Sequence, residues 1–271
     1  MTRNSSEKPK SRAPVKVSTT VTKANLQALG ADRLADLLVE LAEQDASLSR
    51  RLRMALTAVH AKDKLGKEIE KRLRTIQRSK GFLPWERVRP LGTELDTLRQ
   101  SILNDLSTVD VQQAISAMRL LVEIAPSVYE RSDDSSGYLS DVFREAASDL
   151  GALWGRQAGR DPAIVVTDLL SLLDHDGYGT CDHLLASCGA ALGESGAVML
   201  RTMLVKRLRD LPASKGKEGY HTDIARMQII GHLRDLADAM GDVDAYIDAV
   251  SLSDRQSAYI GDVARRLMDK G

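Results

Sequence analysis

The sequence predicts an all-α protein, an irregular stack of about a dozen helices joined as antiparallel hairpins in the manner of an α-solenoid. Three observations predict this class. Apolar residues recur with a helical period almost everywhere from Asn25 onward. Aromatic residues make up only 4% of the 271 residues while alanine and leucine are abundant, which favours aliphatic helix interfaces. Glycine and proline fall where helices begin and end. A compact helical bundle is the alternative architecture, because no fixed repeat length is present.

The chain is predicted to begin with a disordered basic tail at residues 1–23, followed by a helical-repeat domain over residues 24–271. The tail is rich in Ser, Thr, Pro, Lys and Arg, and only Glu7 opposes its cations. A helical hairpin is predicted next, because two leucine-rich stripes flank a break near Asp45. These stripes are Leu34, Leu37, Leu38 and Leu41, then Leu48, Leu52, Ala55 and Leu56.

The apolar period predicts further helices at 62–80, 85–106, 109–130, 137–157, 162–174, 180–192, 195–210, 219–240, 242–250 and 254–269. Their ends carry the expected residues. Asp161 followed by Pro162 is typical of an N-cap and the first helical position. Three glycines stand where helix C-termini are expected, Gly30, Gly193 and Gly241. Pro90 and Pro126 fall inside apolar patterns, so a kink or break is predicted at each.

Composition and charge argue against several classes. The formal net charge is zero, so any attraction to nucleic acid or to an anionic membrane must be local. No apolar run approaches the roughly 18 to 20 residues that span a bilayer, and the N-terminus lacks the apolar core of a secretory signal. We therefore expect a cytoplasmic protein without membrane association. Cys181 and Cys188 are seven residues apart in a helical pattern, so we expect reduced, buried thiols rather than a disulfide.

The basic region at residues 60–90 contains the sharpest surface pattern. Lys67, Lys71, Arg74 and Arg78 follow an i, i+4, i+7, i+11 spacing, which places them in one stripe on a helix. Such a stripe can follow a row of phosphates, although a solvated helix face is the commoner origin of the pattern. The scarcity of nearby aromatic residues argues against base stacking. Because residues 121–180 are predominantly acidic, head-to-tail self-association is also permitted.

The segment RSDDSSGYLSDVF, residues 131–143, concentrates carboxylates and hydroxyls in one short turn. Asp133, Asp134, Ser135 and Gly137 precede a strong apolar helical face that starts at Leu139. Residues of these types cap the free amides at the start of a helix, and carboxylates oppose the positive end of the helix dipole. We therefore predict a helix start. A carboxylate pair that binds a cation or a basic partner segment is the alternative.

We predict no catalytic, metal or cofactor site. The chain contains no phosphate-binding loop, dinucleotide-binding, nucleophile-elbow or zinc-protease motif. His175, Cys181, His183 and Cys188 lack the spacing of a zinc site. The stretch DHDGYG, residues 174–179, begins like a calcium loop but has Leu185 where a bidentate Glu is required. A glycine-containing turn between helices is predicted there instead.

Four segments in order carry a resemblance to a known family: LQALGADRLADLLVELAEQDASLSRRLRMAL, EKRLRTIQRSKGFLPWERV, YERSDDSSGYLSDVFREAASDLG and HDGYGTCDHLLASCGAALGESG. They resemble an uncharacterised bacterial family, domain of unknown function 6880, over most of residues 24–270. The blocks with Trp85 and with the 133–137 turn are the more specific ones. The resemblance implies a helical-repeat fold that often continues into tetratricopeptide-like hairpins, and it implies no activity or cofactor.

The final segment YIGDVARRLMDKG resembles the first helix of a tetratricopeptide-like hairpin. This implies a family member that is truncated before the second helix. The apolar face of the final helix, Ile260, Val263, Ala264 and Leu267, would then be a contact or dimer surface.

These patterns predict a non-enzymatic scaffold that binds another protein through a groove or a charged face. The alternative is a nucleic-acid-binding protein that uses the 62–80 basic helix and the N-terminal tail. The least favoured hypothesis is a metal-dependent enzyme that uses Asp133 and Asp134.

Overall fold

The computed structural model describes residues 19–60, 62–212, 216–254 and 256–270. Of the basic tail predicted at residues 1–23, residues 1–18 lie outside the described residues. The chain divides into two compact units, Met1–Arg53 and Met54–Gly271, here called unit 1 and unit 2. The division falls inside the segment that the sequence predicts as a single domain.

Unit 1 contains α1 (Lys23–Gln27), α2 (Ala31–Gln44) and the first half of α3 (Ala46–His60). Side-chain caps start two of these helices. The Thr22 hydroxyl accepts from Asn25 N at 3.3 Å, and the Asp45 carboxylate accepts from Leu48 N at 3.2 Å. The predicted helices are therefore present. None of the described residues of unit 1 is buried, so its leucine stripes enclose no core within the unit.

In its described residues, unit 2 is helical apart from turns and one isolated bridge between Leu83 and Ser132, and it begins with the second half of α3. Its helices are α4 (Lys62–Arg78), α5 (Trp85–Ser101), α6 (Ser107–Val109), α7 (Val111–Glu123), α8 (Ala125–Tyr129), α9 (Tyr138–Arg156), α10 (Pro162–Asp174), α11 (Leu184–Ser187), α12 (Gly189–Asp210), α13 (Gly216–Met240), α14 (Val243–Ser251) and α15 (Ile260–Lys270). A π-helical turn at Ile102–Leu106 follows α5, and a 3₁₀ turn at Gln256–Tyr259 precedes α15. The all-α prediction is confirmed.

Helix α9 is the centre of unit 2, where it packs against α5, α7, α11 and α12. Its predicted apolar face is buried along the whole length of the helix, from Leu139 to Trp154. One continuous core extends from Leu65 in α4 to Ala249 in α14 and includes residues of α12 and α13. Helices α12, α13, α14 and α15 pack one against the next in chain order. Among the described residues, no helix combines the length and apolar character needed to cross a bilayer.

Several predicted helix boundaries differ in the structure. Helix α5 continues through Pro90, an exposed position, so of the kink or break predicted there the break does not occur. The helix predicted at 109–130 is interrupted at Ile124, and Pro126 lies in the first turn of the next helix, as its missing N–H allows. The helix predicted at 180–192 is divided into α11 and the first turn of α12, because a turn occupies residues 181–183 and Cys188 lies between the two helices. Gly193 has φ +54°, which places a sharp bend between the predicted 180–192 and 195–210 helices.

Arg99 joins α5 to α9 inside the stack. Its guanidinium is 8% exposed and contacts Asp149 at 2.5 Å, with Asp96 and Glu145 at 2.7 Å. Burial disfavours the charged form, but the carboxylate hydrogen bonds outweigh it and raise the pKa of Arg99. This ion-pair cluster therefore fixes the register of the two helices with a permanent charge.

Candidate functional site

Helix α4 presents the predicted basic stripe to solvent. Its four members, Lys67, Lys71, Arg74 and Arg78, are all exposed. The opposite face is fixed in the core, with Leu65, Ile69, Leu73 and Ile76 no more than 3% exposed. Because one face of an amphipathic helix is buried, the direction of the opposite face is determined. The basic stripe is therefore a real surface feature of unit 2.

Carboxylates neutralise only part of this surface. Arg74 pairs with Glu70 one turn earlier, at 2.9 Å. Arg72, beside the stripe, makes two hydrogen bonds of 2.6 and 2.8 Å to Glu94 of α5. Lys67, Lys71 and Arg78 make no ion pair with any carboxylate in the described part of the chain. Three of the four stripe cations thus remain open to an external anion.

An aromatic turn follows the basic stripe. Phe82 is 70% exposed and Trp85 is 66% exposed, whereas the second tryptophan of the chain, Trp154, is 1% exposed in the core. Phe82 lies in the turn that connects α4 to α5, Trp85 is the first residue of α5, and Lys80 precedes both rings. The expectation that aromatic residues are scarce beside the stripe is therefore wrong. We call Phe82 and Trp85 the aromatic pair.

Backbone hydrogen bonds hold the aromatic turn in place. Leu83 N donates to Arg131 O at 2.7 Å, and Asp133 N donates to Leu83 O at 3.0 Å. The Arg131 guanidinium also donates to Gly81 O at 3.3 Å and to Ile76 O at 3.4 Å. Burial lowers the pKa of Arg131. The two segments that carry the more specific part of the family resemblance, 50 residues apart in sequence, therefore meet at this turn.

The 131–143 segment starts a helix, as predicted. Asp134 accepts hydrogen bonds from Leu139 N at 3.2 Å and from Ser140 N at 3.0 Å, which satisfies free amides in the first turn of α9. Gly137 adopts a left-handed conformation with φ +73°, which reverses the chain before the helix. Asp133 and Ser135 are exposed beside it. The structure therefore separates the two neighbouring carboxylates, one as a cap and one toward solvent.

Arginines from the same helix and from distant segments pair with about half of the carboxylates in the acidic region at residues 121–180. Asp168 contacts both Arg119 and Arg160, at 2.5 and 2.6 Å, and Asp174 contacts Arg207 at 2.5 Å. Glu123, Asp141, Glu145 and Asp149 also lie in ion pairs. Ion pairs within unit 2 thus reduce the acidic surface predicted from the sequence, which weakens the basis for head-to-tail self-association.

An apolar groove lies between α12, α13 and α14. It has a volume of about 310 Å³ and is lined by Ala197, Val198, Val205, Leu233, Leu236, Met240, Ala245, Ala249 and Leu252. Val198 is 67% exposed and Leu252 is 43% exposed, so the apolar surface is open to solvent. Glu194, Asp242 and Asp248 stand around it with Arg201, which contacts Asp248 at 2.9 Å. The groove therefore combines an apolar floor with a net acidic edge.

A second, polar cavity of about 360 Å³ lies between the 174–183 turn and α13. Asp176 at its edge accepts from Thr180 N at 2.9 Å and Cys181 N at 2.7 Å, so this carboxylate organises the turn predicted there. Burial raises the pKa of Asp235 to about 6, with Asp238 and Asp182 adding to the shift, and burial lowers the pKa of His232.

Both cysteines are free and buried, as predicted. Burial raises the pKa of Cys188 to about 12, and burial together with Asp176 raises the pKa of Cys181 further. Among the described residues, no three His, Cys, Asp or Glu side chains come together where they could hold a metal ion. These thiols are therefore core residues in the protonated form.

The apolar face of α15 is only partly covered. Val263 packs against the small cluster of Ala237, Tyr246 and Val250. Ile260 and Leu267 are 67% and 49% exposed.

Comparison with known proteins places the chain in a family. The model of a family of unknown function, DUF6880, matches residues 16–271. No curated protein and no solved structure matches the chain. The match includes all the helices of both units and agrees with the resemblance carried by the four segments. The chain therefore belongs to the DUF6880 family, whose function is unknown.

Proposed function

We propose that this protein is a non-enzymatic protein-binding module that receives an amphipathic helix of a partner in the groove between α12, α13 and α14. The observation that carries the proposal is the open apolar floor of that groove, with Val198 and Leu252 exposed at its mouth. Exposed contiguous apolar surface bordered by polar residues is typical of interaction sites. The described residues offer no β-strand for strand addition, so helix-in-groove binding is the recognition mode that this fold supports.

The charges at the groove indicate the chemistry of the partner. Glu194, Asp242 and Asp248 outnumber Arg201, so the edge carries a net negative charge. A complementary helix would place apolar side chains in the groove and Lys or Arg on either side of them. The partner is therefore expected to be a basic amphipathic segment.

The use of the reactive side chains supports a non-enzymatic role. Asp134 and Asp176 are engaged as backbone caps, and Cys188 is a buried thiol with a raised pKa. A general acid or base must be oriented toward a substrate by partners, and a nucleophilic cysteine requires a depressed pKa. These groups instead stabilise turns and the core.

A photo-crosslinking amino acid at position 198 tests the proposal in the native host. We expect one or more proteins to crosslink there, through a segment that mass spectrometry maps to a basic amphipathic helix, and nuclease treatment should not change the result. The matched control is the same crosslinker at Ile164, which is 52% exposed on α10. Equal crosslinking at both positions, or none at position 198, would contradict the proposal.

A further inference from the structure

The basic stripe and the aromatic pair adjoin at one end of α4. Phe82 follows Arg78 by four positions in the chain, so their Cα atoms lie within about 14 Å. Residues 67–89 contain eight Lys or Arg against three Glu in a chain of zero net charge. This is a local concentration of cations that ends in two exposed aromatic rings.

The geometry of the stripe suits a linear polyanion. At about 1.5 Å of rise per residue, Lys67, Lys71, Arg74 and Arg78 are displaced by steps of about 4.5 to 6 Å over roughly 16 Å of helix axis. Phosphates along an extended nucleic-acid strand can meet such a row one after another. A compact acidic protein surface would not require cations in a line.

The aromatic pair adds a second kind of contact. Each ring can bury on the order of 150 Å² or more, and about two thirds of each side chain is exposed here. The hydrogen bonds of Leu83 and Arg131 fix the backbone of the turn, so little order is lost when a ligand binds. Rings presented in this way stack on bases only when the bases are unpaired.

A membrane surface fits these observations less well. A membrane-bound amphipathic helix inserts its apolar face into the interface. The apolar face of α4, with Leu65 and Leu73 at 0% exposure, is already buried in the core of unit 2. Within the described residues 64–89, the large apolar side chains exposed for insertion are the two rings of the aromatic pair.

We propose that α4 and the turn that follows it bind single-stranded nucleic acid, with phosphates along the basic stripe and bases stacked on Phe82 and Trp85. This site is separate from the groove between α12, α13 and α14, so the two proposals can be tested independently. Sequence preference is expected to be weak, because any base can stack on an aromatic ring and every nucleotide carries the same phosphate.

Fluorescence anisotropy with the full chain tests this inference, using labelled oligo(dT) and oligo(U) of about 12 nucleotides and a duplex of equal length. We expect saturable binding to at least one single strand and weaker binding to the duplex. The intrinsic fluorescence of Trp85 should be quenched on binding, and Trp85→Phe, with only the buried Trp154 remaining, should abolish the quenching.

Two sets of variants separate the contribution of the phosphate contacts from that of base stacking. Lys71→Gln with Arg78→Gln should lower the slope of log affinity against log salt by about 1.4, because two phosphate contacts are lost. Phe82→Ala with Trp85→Ala should weaken binding by about tenfold or more without changing that slope.

Matched controls keep these comparisons interpretable. Lys206→Gln with Arg209→Gln removes two exposed charges from α12, and Tyr220→Ala removes a ring that is 69% exposed on α13. Neither control should change binding. Circular dichroism melting should be unchanged for every variant, since each altered side chain is exposed.

Three results would overturn the inference. Absence of saturable binding at low salt would do so. Equal affinity for duplex and single strand without tryptophan quenching would reduce the site to a nonspecific cation patch. Binding to vesicles with anionic lipid, with none to oligonucleotides, would assign the surface to membranes.

Discussion

Replacement of Asp134 by alanine distinguishes a helix cap from an ion-binding carboxylate pair at the 131–143 turn. The Asp134 carboxylate accepts from two backbone amides of α9, Leu139 N and Ser140 N, and from the Ser140 hydroxyl at 3.2 Å. Asp133, the neighbouring residue, is exposed. The two single variants therefore form a matched pair with equal changes in charge.

The expected cost follows from these contacts. Loss of an N-terminal cap costs about 1 kcal/mol and up to 2 kcal/mol, and partly buried amides left without an acceptor add to it. We expect Asp134→Ala to lower the free energy of unfolding by about 2 kcal/mol. Because α9 is the centre of unit 2, the melting temperature should fall by about 4 to 8 °C. Asp133→Ala should stay within about 0.5 kcal/mol of wild type.

Urea unfolding at neutral pH, followed by circular dichroism, measures both free energies. The denaturant slope should not change, since neither variant alters the surface exposed on unfolding. Asp134→Asn, which keeps one carbonyl acceptor, should recover about half of the loss. The reasoning is wrong if the two alanine variants are equally destabilised, or if divalent ions stabilise the wild type and neither variant.

Three further predictions concern the interior of unit 2. Gly151→Ala should cost about 2 kcal/mol, because a Cβ there would meet atoms of α11, whereas Gly177→Ala, with open space around it, should be tolerated in the same melting assay. Asp235→Asn should stabilise the protein by about 1 kcal/mol at pH 7.5, after allowance for solvent screening. That gain should vanish as pH falls through about 6 toward 4, because a carboxyl whose pKa is raised in the folded state makes the wild type less stable as pH rises through this range. The control is Asp223→Asn at an exposed position. A gain in stability that does not change with pH would contradict this explanation. Cys188 should resist iodoacetamide at pH 8 until urea unfolds the chain, and rapid labelling of the native protein would count against its burial.

The basic stripe could be predicted from the sequence, whereas the aromatic pair could not. Helical periodicity assigns Lys71 to the face opposite Ile69 whatever the rest of the chain does. Trp85 gives no such signal, since a tryptophan between helices is usually a core residue, as Trp154 is here. A search for aromatic residues just beyond a charged helix would have found the pair as candidates. Leu83, which lies between them in the chain, packs partly against the core, and its backbone bonds to a segment about 50 residues away.

The charged surfaces could likewise be predicted only in part from the sequence. The sequence correctly locates the cations of α4, but it does not show that Asp149 and Asp168 meet arginines from other helices. Such pairs join residues about 50 positions apart, and no periodic pattern links them. The predicted acidic face is therefore much reduced in the structure, while the basic stripe persists because only Arg74 has a carboxylate one turn away that binds it.

The sequence by itself determined the all-α class, most helix positions, the capped start of α9 and the buried cysteines. These follow from local physics, because the helical period, capping residues and proline act within a few positions of the chain. Only the tertiary structure decided which apolar surfaces stay open, namely the groove at Val198 and the rings of Phe82 and Trp85. The exposure of a side chain depends on which distant segments pack over it. The hydrophobic effect that drives this packing is non-directional, so a short stretch of sequence does not show which segments will meet.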